Sequence, residues 1–177
     1  MKRLFVSAPV AAVFALLVSS LGASAQSDPV SVLQSFQDAR NVGDLEGAVA
    51  LVADDMSYVG GPVCPPDNPC IGVDSMRSNI QRYIAGQEQA AIVGAPQVSG
   101  TVIKAHLESR SPDRLAIGVE RTLSEVTVEV RDGQLASWGG TSDASDPQTA
   151  TWLAFQRAQQ AETVAPAEDQ EDMPANR

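Results

Sequence analysis

The stretch Glu125–Thr141, EVTVEVRDGQLASWGGT, decides the fold because it holds the most regular alternation in the chain. Val126, Val128 and Val130 alternate with charged or polar residues, which is typical of a strand with one buried face. The Asp-Gly pair that follows is a strong signal for a tight hairpin turn. The segment therefore predicts two antiparallel strands whose valine-rich face covers a core.

The residues before this hairpin also follow a period of two, which predicts strands at 90–98 and 101–108. In the second strand the apolar face alternates with a face that carries Lys104, His106 and Glu108. His106 is the only histidine of the chain. Its place on a charged face favours an exposed, structural residue, because a general base would have to point into a cavity.

The first half of the chain is predicted to be helical apart from one short strand. Asp28-Pro29 is a helix start signal, and a second helix, capped by Asp44, is predicted to continue to Asp54-Asp55. These adjacent acids are interpreted as turn residues rather than as a catalytic pair. Residues 56–59 predict a strand, and a third helix is predicted from Gly72 to Gly86.

The first helix places Val30, Leu33, Phe36 and Arg40 at helical spacing. Arg40 lies where this helix ends. The attraction between a cation and the negative end of the helix dipole accounts for an arginine at that position. The sequence alone therefore predicts a structural Arg40.

Both cysteines lie in GGPVCPPDNPCIG, Gly60–Gly72, at the two ends of a proline-rich turn. In an exported protein Cys64 and Cys70 would form a disulfide, and closing so short a loop stabilises it by roughly 2 kcal/mol. A redox pair or a metal site is the alternative. Structural zinc uses four Cys or His ligands, so no metal site is predicted.

The N-terminus has the layout of a secretory signal peptide over residues 1–25. The basic start MKR precedes the apolar run VAAVFALLV, and the small residues Ala23-Ser24-Ala25 form a cleavage site. The alternative, a membrane anchor, needs roughly 20 apolar residues. We expect export to the periplasm or the extracellular medium, with no membrane attachment of the mature form.

The formal net charge of the chain is −10. Acidic surfaces repel phosphate backbones and anionic bilayers, so no nucleic-acid partner is expected. The sequence shows no Gly-rich phosphate loop and too few histidines for a Ser-His-Asp set, and no cofactor is predicted.

The last part of the chain divides into a helix and a tail. Ser145-Asp146-Pro147 is a helix start signal, and a C-terminal helix carrying Trp152 and Phe155 is predicted over residues 146–161. Residues 162–177 are rich in Ala, Pro, Glu and Asp, which predicts a disordered acidic tail.

The order of elements predicts an α+β domain over residues 26–145, in which a curved antiparallel sheet packs on three N-terminal helices. Such packing often leaves an apolar cavity between the two layers. Phe36, Tyr58, Tyr83 and Trp138 are the aromatic residues expected to line it, with the core as the alternative position. Glu120 is expected at its mouth.

Three segments of this domain together resemble the SnoaL-like branch of the nuclear transport factor 2-like (NTF2-like) superfamily. They are FQDARNVGDLEGAVALVADDMSYVGGP, IGVDSMRSNIQRYI and GVERTLSEVTVEVRDGQLASW, and the resemblance spans Asp28–Thr141. The resemblance implies a cone-shaped α+β barrel with an interior pocket, and often a dimer formed through the sheet. Isomerases, dehydratases, polyketide cyclases and plain ligand-binding proteins share this plan, so the fold does not determine the function.

The best-understood chemistry of the superfamily is missing from the expected positions. Ketosteroid isomerases use an Asp base and an oxyanion hole containing a Tyr and a protonated Asp. The positions that match the base and the Tyr are Gly60 and Phe36, which supply neither group. Dehydratases of this fold rely on several histidines, and this chain has only His106.

The leading hypothesis is therefore an exported SnoaL-like domain whose apolar pocket binds a small hydrophobic or amphipathic molecule. One alternative is an enzyme of isomerase, cyclase or hydrolase type that uses Tyr58, Tyr83 or Glu120. Another is a homodimerising structural module whose cavity is filled by side chains.

Overall fold

A computed structural model describes residues 28–60 and 64–164. The predicted signal peptide and the predicted tail beyond residue 164 lie outside the described residues. The elements follow in the order α1 (Pro29–Asn41), α2 (Leu45–Ala50), β1 (Val52–Val59), β2 (Cys70–Ile71), α3 (Val73–Ala85), β3 (Gln89–Ser99), β4 (Val102–Arg110), α4 (Pro112–Ala116), β5 (Thr122–Arg131), β6 (Gln134–Ser142) and α5 (Pro147–Val164).

The strands form one curved, unclosed sheet in the order β2-β1-β6-β5-β4-β3. The α+β class and the curved sheet packed on N-terminal helices are confirmed. The pair β1–β6 is parallel, whereas the other pairs are antiparallel as predicted. The parallel pair inserts a strand from the first half of the chain beside the hairpin from the second half.

The predicted hairpin is confirmed in detail. Asp132 and Gly133 have φ values of 50° and 77°, as a two-residue type I′ turn requires. Arg131 pairs with Gln134 across the turn. The predicted inward residues at 126, 128 and 130 are buried and belong to a core shared with α1, α3 and β1, which includes Leu33, Phe36, Met56, Met76 and Ile80.

The predicted end of the second helix is wrong. α2 ends at Ala50, and Asp54 and Asp55 are exposed residues of β1. The cause is pairing with β6, because the Leu51 carbonyl accepts a hydrogen bond from the Leu135 amide at 2.8 Å. A long-range contact therefore overrides the local helical pattern.

The predicted disulfide between Cys64 and Cys70 is present. Cys70 pairs with Tyr58 in the β1–β2 ladder. The amide of Gly60 donates to the Cys64 carbonyl at 2.9 Å. The disulfide thus fixes the chain that follows β1 against the end of that strand.

The C-terminal helix α5 begins at Pro147, close to the predicted start, and continues beyond the predicted end at residue 161. Asp146 accepts hydrogen bonds from the amide and hydroxyl of Thr149. The fully buried Thr149 in turn accepts from the Leu123 amide at 2.8 Å. The first turn of α5 is therefore tied to the start of β5. Within the described part of the chain, no helix is long and apolar enough to cross a bilayer.

Asn41, at the end of α1, connects this helix to the sheet. Its amide group donates to the Ala90 carbonyl at 2.8 Å and its oxygen accepts from the Ala90 amide at 2.9 Å. The same oxygen accepts from the Tyr83 hydroxyl at 3.1 Å. One side chain thus joins α1, α3 and β3.

The substitution Asn41→Ala is expected to lower the free energy of unfolding by about 3 kcal/mol, because it leaves partly buried polar groups without partners. Urea denaturation measures the change. Gln34→Ala is the control, since it removes an exposed bond to Asp38 on the same helix and is expected to change stability by less than about 0.5 kcal/mol. Equal effects of the two substitutions would contradict the connecting role of Asn41.

Candidate functional site

A cavity of about 300 Å³ lies between α1, α3 and the inner face of the sheet. Its apolar lining comes from Ala90, Leu107, Val126 and Trp138. Hydroxyl groups surround this surface on the strand ends, and they belong to Ser109, Ser124, Thr141 and Ser142. The cavity also carries charged groups, so its lining is mixed, in contrast to the predicted apolar pocket.

The structure brings together three of the five predicted pocket residues. Tyr58, Tyr83 and Trp138 line the cavity. Phe36 does not line it. It is fully buried behind the lining, with its ring centroid 5.8 Å from that of Trp138.

Glu120 is also absent from the lining, which corrects its predicted position. The side chain is exposed, and the backbone amide of Glu120 donates to Gln148 Oε1 at 2.8 Å. The preceding residue, Val119, is buried. Because Val119 takes the inward direction, Glu120 faces away from the core.

Arg40 is the most unusual residue of the lining, since only 8% of it is exposed. Its guanidinium carbon lies 3.6 Å from the ring centroid of Tyr83 and 5.1 Å from that of Phe36. One nitrogen, Nη1, donates to Gln37 Oε1 at 3.3 Å, whereas Nε has no hydrogen-bond partner among the described residues. Burial lowers the pKa of Arg40 from its ordinary value.

The helix-end explanation of Arg40 is insufficient. An exposed cation at a helix C-terminus is stabilised by about 0.3–1 kcal/mol. Burial of an ion costs roughly several kcal/mol. Stacking on an aromatic ring returns about 2 kcal/mol when desolvated. These contributions do not offset the cost of burial, and the Nε–H group of the guanidinium still lacks a hydrogen-bond acceptor among the described residues.

Glu88 is the one carboxylate that lines the cavity among residues 28–60 and 64–164. It accepts a hydrogen bond from Arg114 Nη2 at 2.9 Å, and the Arg114 guanidinium lies over the Trp152 ring at 5.2 Å. Arg114 therefore provides the counter-charge of this carboxylate.

The two tyrosine hydroxyl groups have different environments. Tyr83 donates to Asn41, and burial raises the pKa of Tyr83 to about 12. The Tyr58 hydroxyl accepts from Asn79 Nδ2 at 3.3 Å. Its own proton is therefore available to an acceptor in the cavity.

The geometry of helices, sheet and cavity can be compared with known proteins. No protein-family model matches the sequence, and no curated protein matches it. Solved structures match over about two thirds of the chain or more. The candidate polyketide cyclase IdmH from Streptomyces antibioticus is 20% identical with a TM-score of 0.57, and the match covers 72% of this chain and 99% of that one.

Two further structures support the same fold. A candidate ketosteroid isomerase from Kribbella flavida is 20% identical with a TM-score of 0.53, covering 65% of this chain and 77% of that one. An NTF2-like protein of unknown function from Cytophaga hutchinsonii is 10% identical with a TM-score of 0.52, covering 69% and 96%. The chain has the NTF2-like fold. At these identities the likeness shows the fold alone.

Gly60, which the resemblance to isomerases places at the position of the base, lines the NTF2-like cavity. A Cβ atom on Gly60 would lie 2.6 Å from the Tyr58 hydroxyl oxygen. The tyrosine two residues earlier therefore occupies the space that a side chain at this position would need. The other matching position, Phe36, is buried in the core.

His106 is exposed on the outer face of the sheet, as predicted. It lies in β4 opposite Glu125 of β5. In the described part of the chain, no group of three or more His, Cys, Asp or Glu residues is arranged to hold a metal ion.

The buried position of Arg40 in the lining was not predicted from the sequence, nor were the positions of Asn79, Glu88 and the hydroxyl groups. A signal for Arg40 was present, because it follows Phe36 by one helical turn on the apolar face of α1. A charged residue at such a position is drawn into the core when the helix packs. Glu88 lies in a short connection, where no periodicity predicts a direction.

Replacement of Tyr83 is expected to change the alkaline pH dependence of stability. Because the pKa of Tyr83 is raised from 10.0 to about 12, the folded state holds this proton more tightly than the unfolded chain. Its contribution is complete below pH 10 and is lost as the pH rises towards 12. Tyr83→Phe is therefore expected to flatten this loss, measured by urea denaturation over that range.

A phenolate absorbance titration provides the second readout. Tyr83→Phe is expected to remove the transition with a midpoint near pH 12. An unchanged titration curve at high pH would show that Tyr83 is not the residue with the raised pKa.

Proposed function

We propose that this protein binds a small amphipathic molecule in the NTF2-like cavity. The observation that carries the proposal is the coexistence of an apolar surface with unused hydrogen-bonding capacity. Trp138, Leu107 and Val126 supply the apolar surface, while Tyr58 and Arg40 supply groups with donors to spare. Ligand sites commonly combine a mostly apolar wall with a few polar groups that fix the orientation.

The size of the cavity supports a small ligand. Its volume of about 300 Å³ is at the lower end of the range for small-molecule sites, roughly 300–1,000 Å³. A molecule with one or two rings fits such a space. An open cavity also counts against the alternative of a structural module whose interior is filled by side chains.

Binding without catalysis is favoured over the enzymatic alternative. The described lining contains a single carboxylate, Glu88, which Arg114 holds, and a tyrosine, Tyr83, whose raised pKa keeps it protonated at neutral pH. An isomerase or cyclase needs a group that takes a proton near the operating pH. Candidate enzymes with this fold show that the scaffold is compatible with such chemistry.

Export from the cytoplasm belongs to the same proposal. The layout of residues 1–25 is that of a signal peptide, and the disulfide between Cys64 and Cys70 suits an oxidising compartment. The ligand would then be met in the periplasm or outside the cell.

Expression of the full chain with a functional secretion pathway is expected to give a mature protein that begins at Gln26. N-terminal sequencing of the exported fraction measures this. Ala25→Leu places a larger residue at the cleavage position and is expected to accumulate the precursor. Recovery of the intact chain from the cytoplasm, with Met1 and the apolar run retained, would refute the export proposal.

A substitution that fills the cavity is expected to abolish binding of a small amphipathic probe. Ser124 lines the cavity, and Ser124→Trp would occupy much of it. We expect at least about tenfold weaker binding of anilinonaphthalene sulfonate, followed by its fluorescence, because the probe loses its apolar contacts.

The matched control is Ser137→Trp, which adds the same side chain on the outer face of β6, where Ser137 pairs with Glu129. Its affinity for the probe is expected to stay within about threefold of wild type. Equal binding by both variants would place the probe outside the cavity and count against the proposed function. Native mass spectrometry of the purified protein would identify a retained ligand and test the predicted homodimer.

A further inference from the structure

We propose that the ligand carries a carboxylate group and that Arg40 binds it inside the cavity. The inference rests on the proposed function and specifies its ligand as a small monocarboxylic acid with an aromatic or aliphatic body. The group that selects it is a buried guanidinium with no acidic partner in the described part of the chain.

Arg40 lines the cavity although only 8% of it is exposed. Its Nε is buried without an acceptor among the described residues. The guanidinium has donors only, so a ligand group that contacts Arg40 must bring acceptors.

The Tyr83 ring fixes the orientation of the Arg40 guanidinium. Its carbon lies 3.6 Å from the Tyr83 ring centroid, a distance typical of stacking. Stacking uses the flat face of the guanidinium, whereas its N–H groups point outward along the edge. The ring contact therefore holds Arg40 in place and leaves edge donors for a planar acceptor. A carboxylate matches that edge with two oxygens.

Arg40 forms no ion pair with a carboxylate in the described part of the chain. Glu88 interacts with Arg40 at longer range, but its hydrogen bond goes to Arg114. Arg82 also lines the cavity, but its charge is exposed to solvent, so Arg40 is the buried cation that a ligand would balance. One negative charge does so, which favours a monocarboxylate over a phosphate monoester with nearly two charges.

Leu107, Val126 and Trp138 offer an apolar surface in the same cavity. A ligand body of carbon rings or chains is stabilised on that surface because its apolar area leaves water. Sugars, which lack such a body, fit this half of the site poorly.

A purely structural Arg40 is the competing explanation. Its contacts with Tyr83, Phe36 and Gln37 fix the end of α1 in either case. The two explanations differ in the preference of the wild-type protein for charged over neutral ligands. A structural arginine gives no preference between an acid and its amide.

The test compares naphthoate with naphthamide, which share the ring system and differ in charge. Isothermal titration calorimetry of the mature wild-type protein at neutral pH is expected to show naphthoate binding about tenfold or more tightly than naphthamide, because a charged acceptor strengthens the hydrogen bonds. Ser124→Trp is expected to weaken both ligands, which assigns the binding to the cavity.

Arg40→Met is expected to abolish the preference, so that the two ligands bind within about threefold of each other. Arg40→Lys keeps the charge but not the planar edge and is expected to retain part of the preference. Arg131→Gln is the control. It causes the same change in net charge at an exposed ion pair with Asp55 and is expected to keep the full preference.

Equal affinities of wild-type protein for the acid and the amide would overturn the inference, and this comparison needs no variant that must fold. In that outcome the proposed function would still hold if anilinonaphthalene sulfonate binds the wild-type protein and Ser124→Trp weakens this binding. Failure of all three molecules to bind would overturn both. An unchanged preference in Arg40→Met, with cooperative unfolding intact, would also overturn the assignment to Arg40.

Discussion

The packing of α1 against the inner face of the sheet is the constraint on which the cavity depends. Leu33 and Phe36 are fully buried in this contact, and Arg40 follows them on the same helical face. The helix cannot bury the first two without carrying the guanidinium inward. Asn41 then fixes the helix end to β3. The polar character of the cavity is thus a consequence of the core packing itself.

Elements defined by local signals could be predicted from the sequence. The Asp-Gly turn, the valines at alternate positions and the glycines that bound α3 each act within a few residues. The end of α2 could not be predicted, because Val52 fits both the helical spacing and a strand. Only the hydrogen bond between Leu135 and Leu51 decides between them. The parallel pairing of β1 with β6 is non-local in the same sense.

The candidate site was predictable to a smaller extent than the fold. Tyr58, Tyr83 and Trp138 were found because large aromatic residues on inward positions border any cavity in this architecture. Phe36 takes the alternative core position and Glu120 lies outside the lining, because their directions depend on neighbours, Trp138 for the first and Val119 for the second. The glycine at position 60 also depends on a neighbour, because the side chain of Tyr58 fills the space that a Cβ atom on Gly60 would need. In this fold, function depends on which side chains fill the cavity rather than on the path of the backbone.

The acidic surface acquires a role once the cavity is seen to hold a cation. With a net charge of −10, the exterior repels an approaching anion, and the repulsion grows with the number of charges that the anion carries. Salt reduces it over a Debye length of about 8 Å. If the ligand is the monocarboxylate proposed above, this repulsion slows its approach less than the approach of a polyanion.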